Sequence, residues 1–326
     1  MGKFTRKQNL YHAASRSRRK FRTRTFQPSL VFSLGTLLTL VLFFTGCKSK
    51  AIESPQNILT REITDDLGRR VKISEKIERA VSLAPNLTEI VFAVGAGERL
   101  VGVTTYCDYP LEAREIRKIG DTINPNIESV IALNPQIVLI STASQIESFT
   151  KQLEARNIAV FVTNPNTLDD IYKSIERVGK IFGKTERARE IVDNLQKRVA
   201  DIETKTNSAG DVKVFLQISK EPLYTIGKDS FLTDLIRRAG GTSATADLAA
   251  AYSVLSKETA LLAQPEAIIL SESDDNLEPN DVFKNSPAVE NGRVFHINAE
   301  LLSRPGPRVV DGLEQMAKAL HPENFK

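Results

Sequence analysis

The sequence predicts an α/β fold in which two similar lobes are joined by one long helix. Residues 126–140 and 256–270 carry the same pattern of glutamate, proline and apolar positions. Both stretches close on short apolar runs, which are typical of strands covered on both faces. A long helical stripe of apolar residues over 167–205 lies between them. A repeat this widely spaced excludes a solenoid, whose periods are far shorter. We therefore expect two Rossmann-like α/β lobes joined by one long helix.

Each repeat predicts a short helix, a proline turn and a buried strand. Pro135 and Pro265 end the helices, because proline disfavours helical geometry in the residue before it. The buried helix face is expected at Ile127, Val130 and Ile131, and at Leu261 and Leu262 in the second repeat. Glu128 and Glu258 occupy equivalent places in the first helical turn, where the helix dipole favours a carboxylate by about 0.3–1 kcal/mol. The alternative is that both are docking carboxylates facing arginines of one twofold partner.

The first lobe is predicted over 61–166. Alternating residues around 66–68 predict a hairpin. The further elements are strands at 79–84, 100–104 and 158–162 and helices at 88–94 and 146–155. The loop 106–110 follows the carboxyl end of a strand, where open α/β sheets place ligand sites.

The connecting helix is predicted over 167–205, with Thr167 as its N-cap and Gly183 as a weak point. The second lobe follows over 206–326. Its elements are strands at 212–218 and 293–297, helices at 231–238 and 309–320, and loops at 219–227 and 301–308. The polar, alanine-rich segment 242–255 is expected to lie over the surface.

The N-terminus has the pattern of a targeting segment. Residues 1–46 hold nine Lys and Arg and no acidic residue, and an apolar run over 30–44 is too short for a span of about 20 residues. Small residues before Cys47 resemble a bacterial lipoprotein signal over 1–47, in which Cys47 becomes the lipidated first residue. The alternative is an uncleaved signal anchor. Residues 48–60 are then a tether, and Sec and twin-arginine export both stay open.

Charge and histidine content exclude several function classes. Residues 47–326 contain 35 of the 44 basic residues and all 40 acidic residues, which gives this part a net charge of −5. A net negative charge argues against nucleic-acid binding. The histidines are His12, His296 and His321, too few for a triad or a zinc site. No phosphate-binding or dinucleotide fingerprint is present. The sequence therefore favours binding over catalysis, and a hydrolase or sensor module is the competing hypothesis.

Aromatic and hydrogen-bonding residues concentrate in the predicted loops 84–88, 104–110, 219–227 and 300–308. Aromatic walls with a few polar contacts suit an amphipathic ligand with a flat apolar body. Half-buried packing is the alternative for each tyrosine taken alone.

Four motifs together resemble the substrate-binding proteins of cobalamin and iron-siderophore ABC importers. They are Val-Ser-Leu-Ala-Pro-Asn-Leu-Thr-Glu-Ile at 81–90, Val-Gly-Val-Thr-Thr-Tyr-Cys-Asp-Tyr-Pro at 101–110, Ile-Glu-Ser-Val-Ile-Ala-Leu-Asn-Pro at 127–135 and Ser-Arg-Pro-Gly-Pro-Arg at 303–308. The resemblance covers 79–322. It implies a ligand held in the cleft between the lobes, with little hinge motion.

The resemblance also implies roles for individual residues. Those expected to face the ligand are Asn86, Tyr106, Thr122, Tyr224, Glu300 and Arg304. Glu128 and Glu258 match the glutamates that dock on the permease. The chain departs from the family where cobalamin-binding members of enteric bacteria have a tryptophan, since Thr122 stands there, and Glu300 replaces an aspartate.

The expected function is that of an extracytoplasmic lipoprotein which captures cobalamin and delivers it to the permease dimer of an ABC transporter. The alternative ligand is a ferric siderophore or haem. The resemblance implies a monomer without cofactor or resident metal, held at the membrane, in the periplasm or at the cell surface, by lipid on Cys47.

Overall fold

Two short antiparallel strands open the part of the chain that the computed structural model describes, which is residues 59–122, 124–141 and 146–326. Strands β1 (Thr60–Thr64) and β2 (Arg70–Ser74) form the predicted hairpin. The predicted signal segment, Cys47 and the tether up to residue 58 lie outside the described residues. Within the described part, no helix is both long and apolar enough to cross a membrane.

The first lobe is built on a parallel four-stranded sheet in the order β4-β3-β5-β6. Its strands are β3 (Ala80–Ser82), β4 (Leu100–Val103), β5 (Ile137–Ser141) and β6 (Ala159–Thr163). Its helices are α1 (Pro85–Ala93), α2 (Ile127–Ala132) and α3 (Ile146–Glu154). Helix α1 starts three residues earlier than predicted because Pro85 takes the first helical position, where a missing N–H costs nothing.

Two helices occupy the interval predicted as one connecting helix. Helix α4 (Leu168–Ile181) begins after the capping hydroxyl of Thr167, and α5 (Thr185–Thr206) follows a break at Gly183, whose φ is +67°. Helix α5 packs against α4 and against two helices of the second lobe. At 22 residues it spans roughly 33 Å.

The second lobe has a mixed six-stranded sheet. Its strands are β7 (Val212–Ser219), β8 (Tyr224–Ile226), β9 (Gly241–Ser243), β10 (Tyr252–Val254), β11 (Ala267–Glu272) and β12 (Val294–Asn298). The order is β10-β8-β7-β11-β12, and β9 pairs with β7. The helices are α6 (Phe231–Arg238), α7 (Lys257–Ala263), α8 (Pro287–Glu290), α9 (Ala299–Ser303) and α10 (Val309–Leu320). Short 3-10 helices lie at Gly97–Arg99, Leu111–Glu115, Asp281–Phe283 and Pro322–Phe325.

The segment 242–255, expected to lie over the surface, is mostly exposed or half-buried, and it also contributes to two short strands. Strands β9 and β10 lie at its two ends, and β10 pairs antiparallel with β8, which itself falls inside the predicted loop 219–227. These strands have only three residues each, so their own sequence carries no clear alternation. Pairing with β7 and β8 therefore decides their conformation.

The repeated unit is present in both lobes as α2–β5 and α7–β11. The side chains of Asn126 and Ser256 cap the two helices at equivalent positions. The residues before the two prolines, Asn134 and Gln264, both have positive φ, at 47° and 40°. The repeat therefore extends to the backbone conformation of the turn.

The predicted buried face of α7 is wrong. Leu261 and Leu262 are 52% and 80% exposed, while Ala260 and Ala263 face the core. In a helix of seven residues, four of them apolar, the sequence pattern does not distinguish the two faces.

One hydrophobic core runs through both lobes. It includes Leu139 of the first sheet, Ile175 and Val199 of the connecting helices, and Leu216 and Met316 of the second lobe, all buried. The connecting helices therefore join the lobes through packed side chains as well as through the chain itself.

Candidate functional site

A cavity of about 470 Å³ lies between the two lobes, at the carboxyl ends of their parallel strands. The first lobe lines it with Ser141, Asn164, Pro165 and Asn166. The second lobe lines it with Ile218, Tyr224, Asp229, Phe231, Leu232, Ala251, Tyr252, Ser271, Leu302, Ser303 and Pro305. Small-molecule sites run from about 300 to about 1,000 Å³ and combine apolar walls with a few polar groups. The cavity fits that description.

The aromatic side of the cavity is built by neighbouring strands and one helix start. Tyr224 is on β8, Tyr252 is on β10, which pairs with β8, and Phe231 opens α6. Burial raises the pKa of the Tyr252 hydroxyl, and a hydrogen bond with Ser230 offsets only part of that effect. Sequence reasoning missed Tyr252 because it lies in the segment assigned to the surface.

Arg304 lies beside the cavity, between the lining residues Ser303 and Pro305, and it joins the two lobes. Its guanidinium donates to Glu89 Oε1 at 3.2 Å and Asp108 Oδ1 at 2.7 Å, both in the first lobe. It also donates to Glu300 Oε1 at 3.1 Å. Its side chain is only 10% exposed, so the predicted ligand-facing arginine is engaged with carboxylates in this structure.

Arg308 completes this ionic cluster, which consists of Glu89, Asp108, Glu300, Arg304 and Arg308. It donates to Glu89 through Nε at 2.9 Å and Nη2 at 2.6 Å, a bidentate pair. It also stacks 3.9 Å above the centre of the Tyr109 ring. The cluster thus ties helix α1 and the 104–110 loop to the loop after α9.

The cluster shifts the acid–base behaviour of its members. Partial burial opposes ionisation of Asp108, but the hydrogen bond and charge of Arg304 outweigh burial and lower the pKa of Asp108. Burial likewise opposes the charged form of Arg304, and its hydrogen bonds to Asp108 and Glu89 nevertheless raise its pKa. Asp108 and Arg304 are therefore both charged at neutral pH.

Sequence reasoning missed Glu89, Asp108 and Arg308. All three stand inside the motifs at 81–90, 101–110 and 303–308, so the signal was present in the same stretches. What the sequence lacked was the pairing across more than 190 residues that brings them together.

The other predicted ligand-facing residues occupy different places. Asn86 is buried at the start of α1 and donates to the Pro305 carbonyl at 3.3 Å, again across the lobes. Tyr106 is 59% exposed, and its carbonyl accepts from Arg304 at 3.4 Å. Tyr224 lines the cavity, whereas Thr122 is half-buried in the loop after Gly120 and is not a lining residue. Asn86, Tyr106, Glu300 and Arg304 thus come together, and Tyr224 lies on the cavity wall.

Glu128 and Glu258 lie on exposed first turns of equivalent helices. Neither is buried, and the amide of the Glu258 backbone and the Ser256 hydroxyl lower the pKa of Glu258. Among the described residues, no group of three or more His, Cys, Asp and Glu is arranged to hold a metal ion.

Comparison with known proteins decides the family. The model of the periplasmic binding protein family matches residues 81–301, which is more than half of the chain. The chain belongs to this family. An uncharacterized ABC transporter substrate-binding lipoprotein of Bacillus subtilis (strain 168), YvrC, is 30% identical over 305 residues, covering 89% of this chain and 96% of that protein.

Solved structures of periplasmic binding proteins agree with this fold. The periplasmic vitamin B12 binding protein BtuF of Vibrio cholerae superposes with a TM-score of 0.68 at 28% identity, covering 77% of this chain and 98% of that one. The apo form of the periplasmic heme-binding protein RhuT from Roseiflexus sp. RS-1 gives 0.67 at 25% identity, covering 76% and 99%. The family resemblance and the fold class drawn from the sequence are both confirmed.

Membership of the periplasmic binding protein family establishes the general role. The chain is an extracytoplasmic substrate-binding component of an ABC importer, which binds a small molecule and works with a permease. That role is transport and involves no enzymatic step, as the residue inventory predicted.

Proposed function

We propose that this periplasmic binding protein captures cobalamin and delivers it to its ABC permease. The observation that carries the proposal is the cavity between the lobes, with tyrosines and a phenylalanine on one side and asparagine and serine side chains on the other. A corrinoid presents a flat macrocycle edged with amides. The aromatic residues suit the flat face, and the amide and hydroxyl groups suit the edge.

The exposed tyrosines beside the cavity support the same ligand. A corrinoid is larger than the enclosed volume, so part of it would remain between the loops. Tyr106 and Tyr109 are 59% and 46% exposed on the 104–110 loop. Large apolar groups left open at a cleft are typical of ligand contacts. The similarity to a vitamin B12 binding protein points in the same direction.

Haem or a ferric siderophore is the second candidate, because relatives include haem-binding proteins and two tyrosines line the cavity. A tyrosine ligates ferric iron best as the phenolate. Burial raises the pKa of Tyr252 and so disfavours that form. Tyr224 lines the same cavity, so haemin is included in the ligand test.

Delivery is assigned to Glu128 and Glu258. Both are exposed, both open a helix capped in the same way, and each belongs to one copy of the repeat. Two equivalent carboxylates on two similar lobes suit a permease dimer that presents one arginine per subunit. We further propose that a monomer is held at the membrane by lipid on Cys47. Cys47→Ser should move the protein from the membrane to the soluble fraction of cells.

Titration calorimetry with cyanocobalamin tests the ligand. Protein lacking residues 1–47 should bind it. Tyr224→Ala should weaken binding about tenfold, since an aromatic contact contributes about 0.5–1.5 kcal/mol beyond buried area. Tyr224→Phe keeps the ring and is the matched control, with affinity close to that of the parent protein. Binding of haemin without any heat from cyanocobalamin would reject cobalamin as the ligand.

A further inference from the structure

The cavity between the lobes carries negative charge and no compensating free cation among its described lining residues. Among the described lining residues, Asp229 is the one that carries a charge, and it is an exposed carboxylate. The neighbouring Lys228 lines a different surface depression. An anionic ligand group entering the cavity would therefore meet neutral side chains and one like charge.

Arg304 and Arg308, which lie beside the cavity, are already paired with carboxylates. Arg304 and Arg308 face three carboxylates, Glu89, Asp108 and Glu300, so the ionic cluster has a net charge of −1. Glu89 is 2% exposed at its side chain and accepts from both arginines. To use either guanidinium, an anionic ligand would have to displace a carboxylate already bound to it.

We propose that this cleft selects a neutral or cationic ligand and excludes ligands with a net negative charge. This inference rests on the proposed function only in placing the ligand in the same cavity. It separates the candidate ligands by net charge: cyanocobalamin is neutral overall, because the cobalt corrin balances its one phosphodiester, whereas haem carries two carboxylates and a ferric tris-catecholate is a trianion. Displacing Glu89 from Arg304 would take one partner from a buried carboxylate, which opposes anion entry.

A charge-graded ligand panel tests the proposal on the same protein. The probes are cyanocobalamin, a neutral ferric trihydroxamate, haemin and a ferric tris-catecholate, each measured by fluorescence or calorimetric titration. The expected result is that a neutral probe binds at least about a hundredfold tighter than both anionic probes, which corresponds to two factors of ten in Kd. An anionic probe binding within tenfold of the best neutral probe would overturn the proposal.

Charge-neutralising variants locate the effect. Asp108→Asn and Asp229→Asn should each raise the affinity for haemin relative to a neutral probe by about tenfold. Asp311→Asn is the matched control. The substitution removes the same charge, but Asp311 pairs with Arg198 away from the cavity. Equal changes in all three variants would show a general charge effect and reject the local one.

The panel also separates this inference from the proposed function. If the ferric trihydroxamate binds and cyanocobalamin does not, the cobalamin proposal fails while charge selection stands. If cyanocobalamin and haemin bind equally well, charge selection fails while capture of cobalamin stands.

Discussion

Replacing Arg304 with methionine should lower the free energy of unfolding by about 3 kcal/mol. Methionine keeps most of the apolar stem and removes the guanidinium. The loss of one partner from a buried ion pair costs about 3–5 kcal/mol. The side chain of Glu89 is 2% exposed, but it keeps its pair with Arg308, so we expect a cost at the low end of that range of free energies. Asp108 and Glu300 are 38% and 39% exposed, so their contribution is below about 1 kcal/mol each.

Urea unfolding followed by far-ultraviolet circular dichroism measures this loss, since the chain has no tryptophan. Arg198→Met is the matched control. That arginine also binds two carboxylates, Asp311 and Glu314, but its side chain and both partners are 35–44% exposed. We expect less than about 1 kcal/mol there. Equal losses in the two variants would refute the view that burial makes the inter-lobe cluster strong.

Three further predictions concern pH, docking and packing. The folded protein lowers the pKa of Asp108 from its ordinary value of 3.8, so the ion pair of Asp108 stabilises the fold above that pH and is lost as the pH falls through the lowered pKa. Asp108→Asn should therefore reduce the change in the free energy of unfolding between about pH 5 and about pH 3, by less than about 1 kcal/mol. Glu128→Lys with Glu258→Lys should abolish uptake in cells and leave ligand binding by the purified protein unchanged; normal uptake would contradict the docking role. Gly227→Ala should weaken ligand binding and lower the melting temperature, because a Cβ there would overlap the Ala250 carbonyl and displace β10 from the cavity; a parent-like affinity would show that the segment adapts.

The parts of the fold that the sequence predicted are those with strong local signals. The two proline-turn repeats and the stripe over 167–205 combine apolar periodicity with caps and stops, and they correspond to α2–β5, α7–β11 and α4–α5. The strands that the sequence did not predict depend on pairing with neighbouring strands. Strands β9 and β10 form because β7 and β8 provide their hydrogen-bonding partners. The sequence of 242–255 alone does not predict these strands.

The sequence predicted which loops surround the cleft, but it did not predict the contacts between their side chains. The motif at 303–308 placed Arg304 at the cleft, but its partners Glu89 and Asp108 stand 215 and 196 residues away in the chain. Such pairings depend on how two lobes meet, which periodicity and propensity do not encode. Tyr252 was missed for the same reason, since its strand was missed. The motif resemblance therefore located the cleft, and the structure supplied the charges that surround it.

The ionic cluster and the shared core together oppose a large opening between the two lobes. A hinge opening would separate Glu89 from Arg304 and Arg308, and it would expose core residues such as Ile175 and Val199 that pack between the lobes. Both changes cost free energy with nothing gained in the empty state. We therefore predict that the cleft is formed before the ligand arrives, with little hinge motion. A preformed site loses little conformational entropy on binding, so modest contacts with a large ligand suffice for capture.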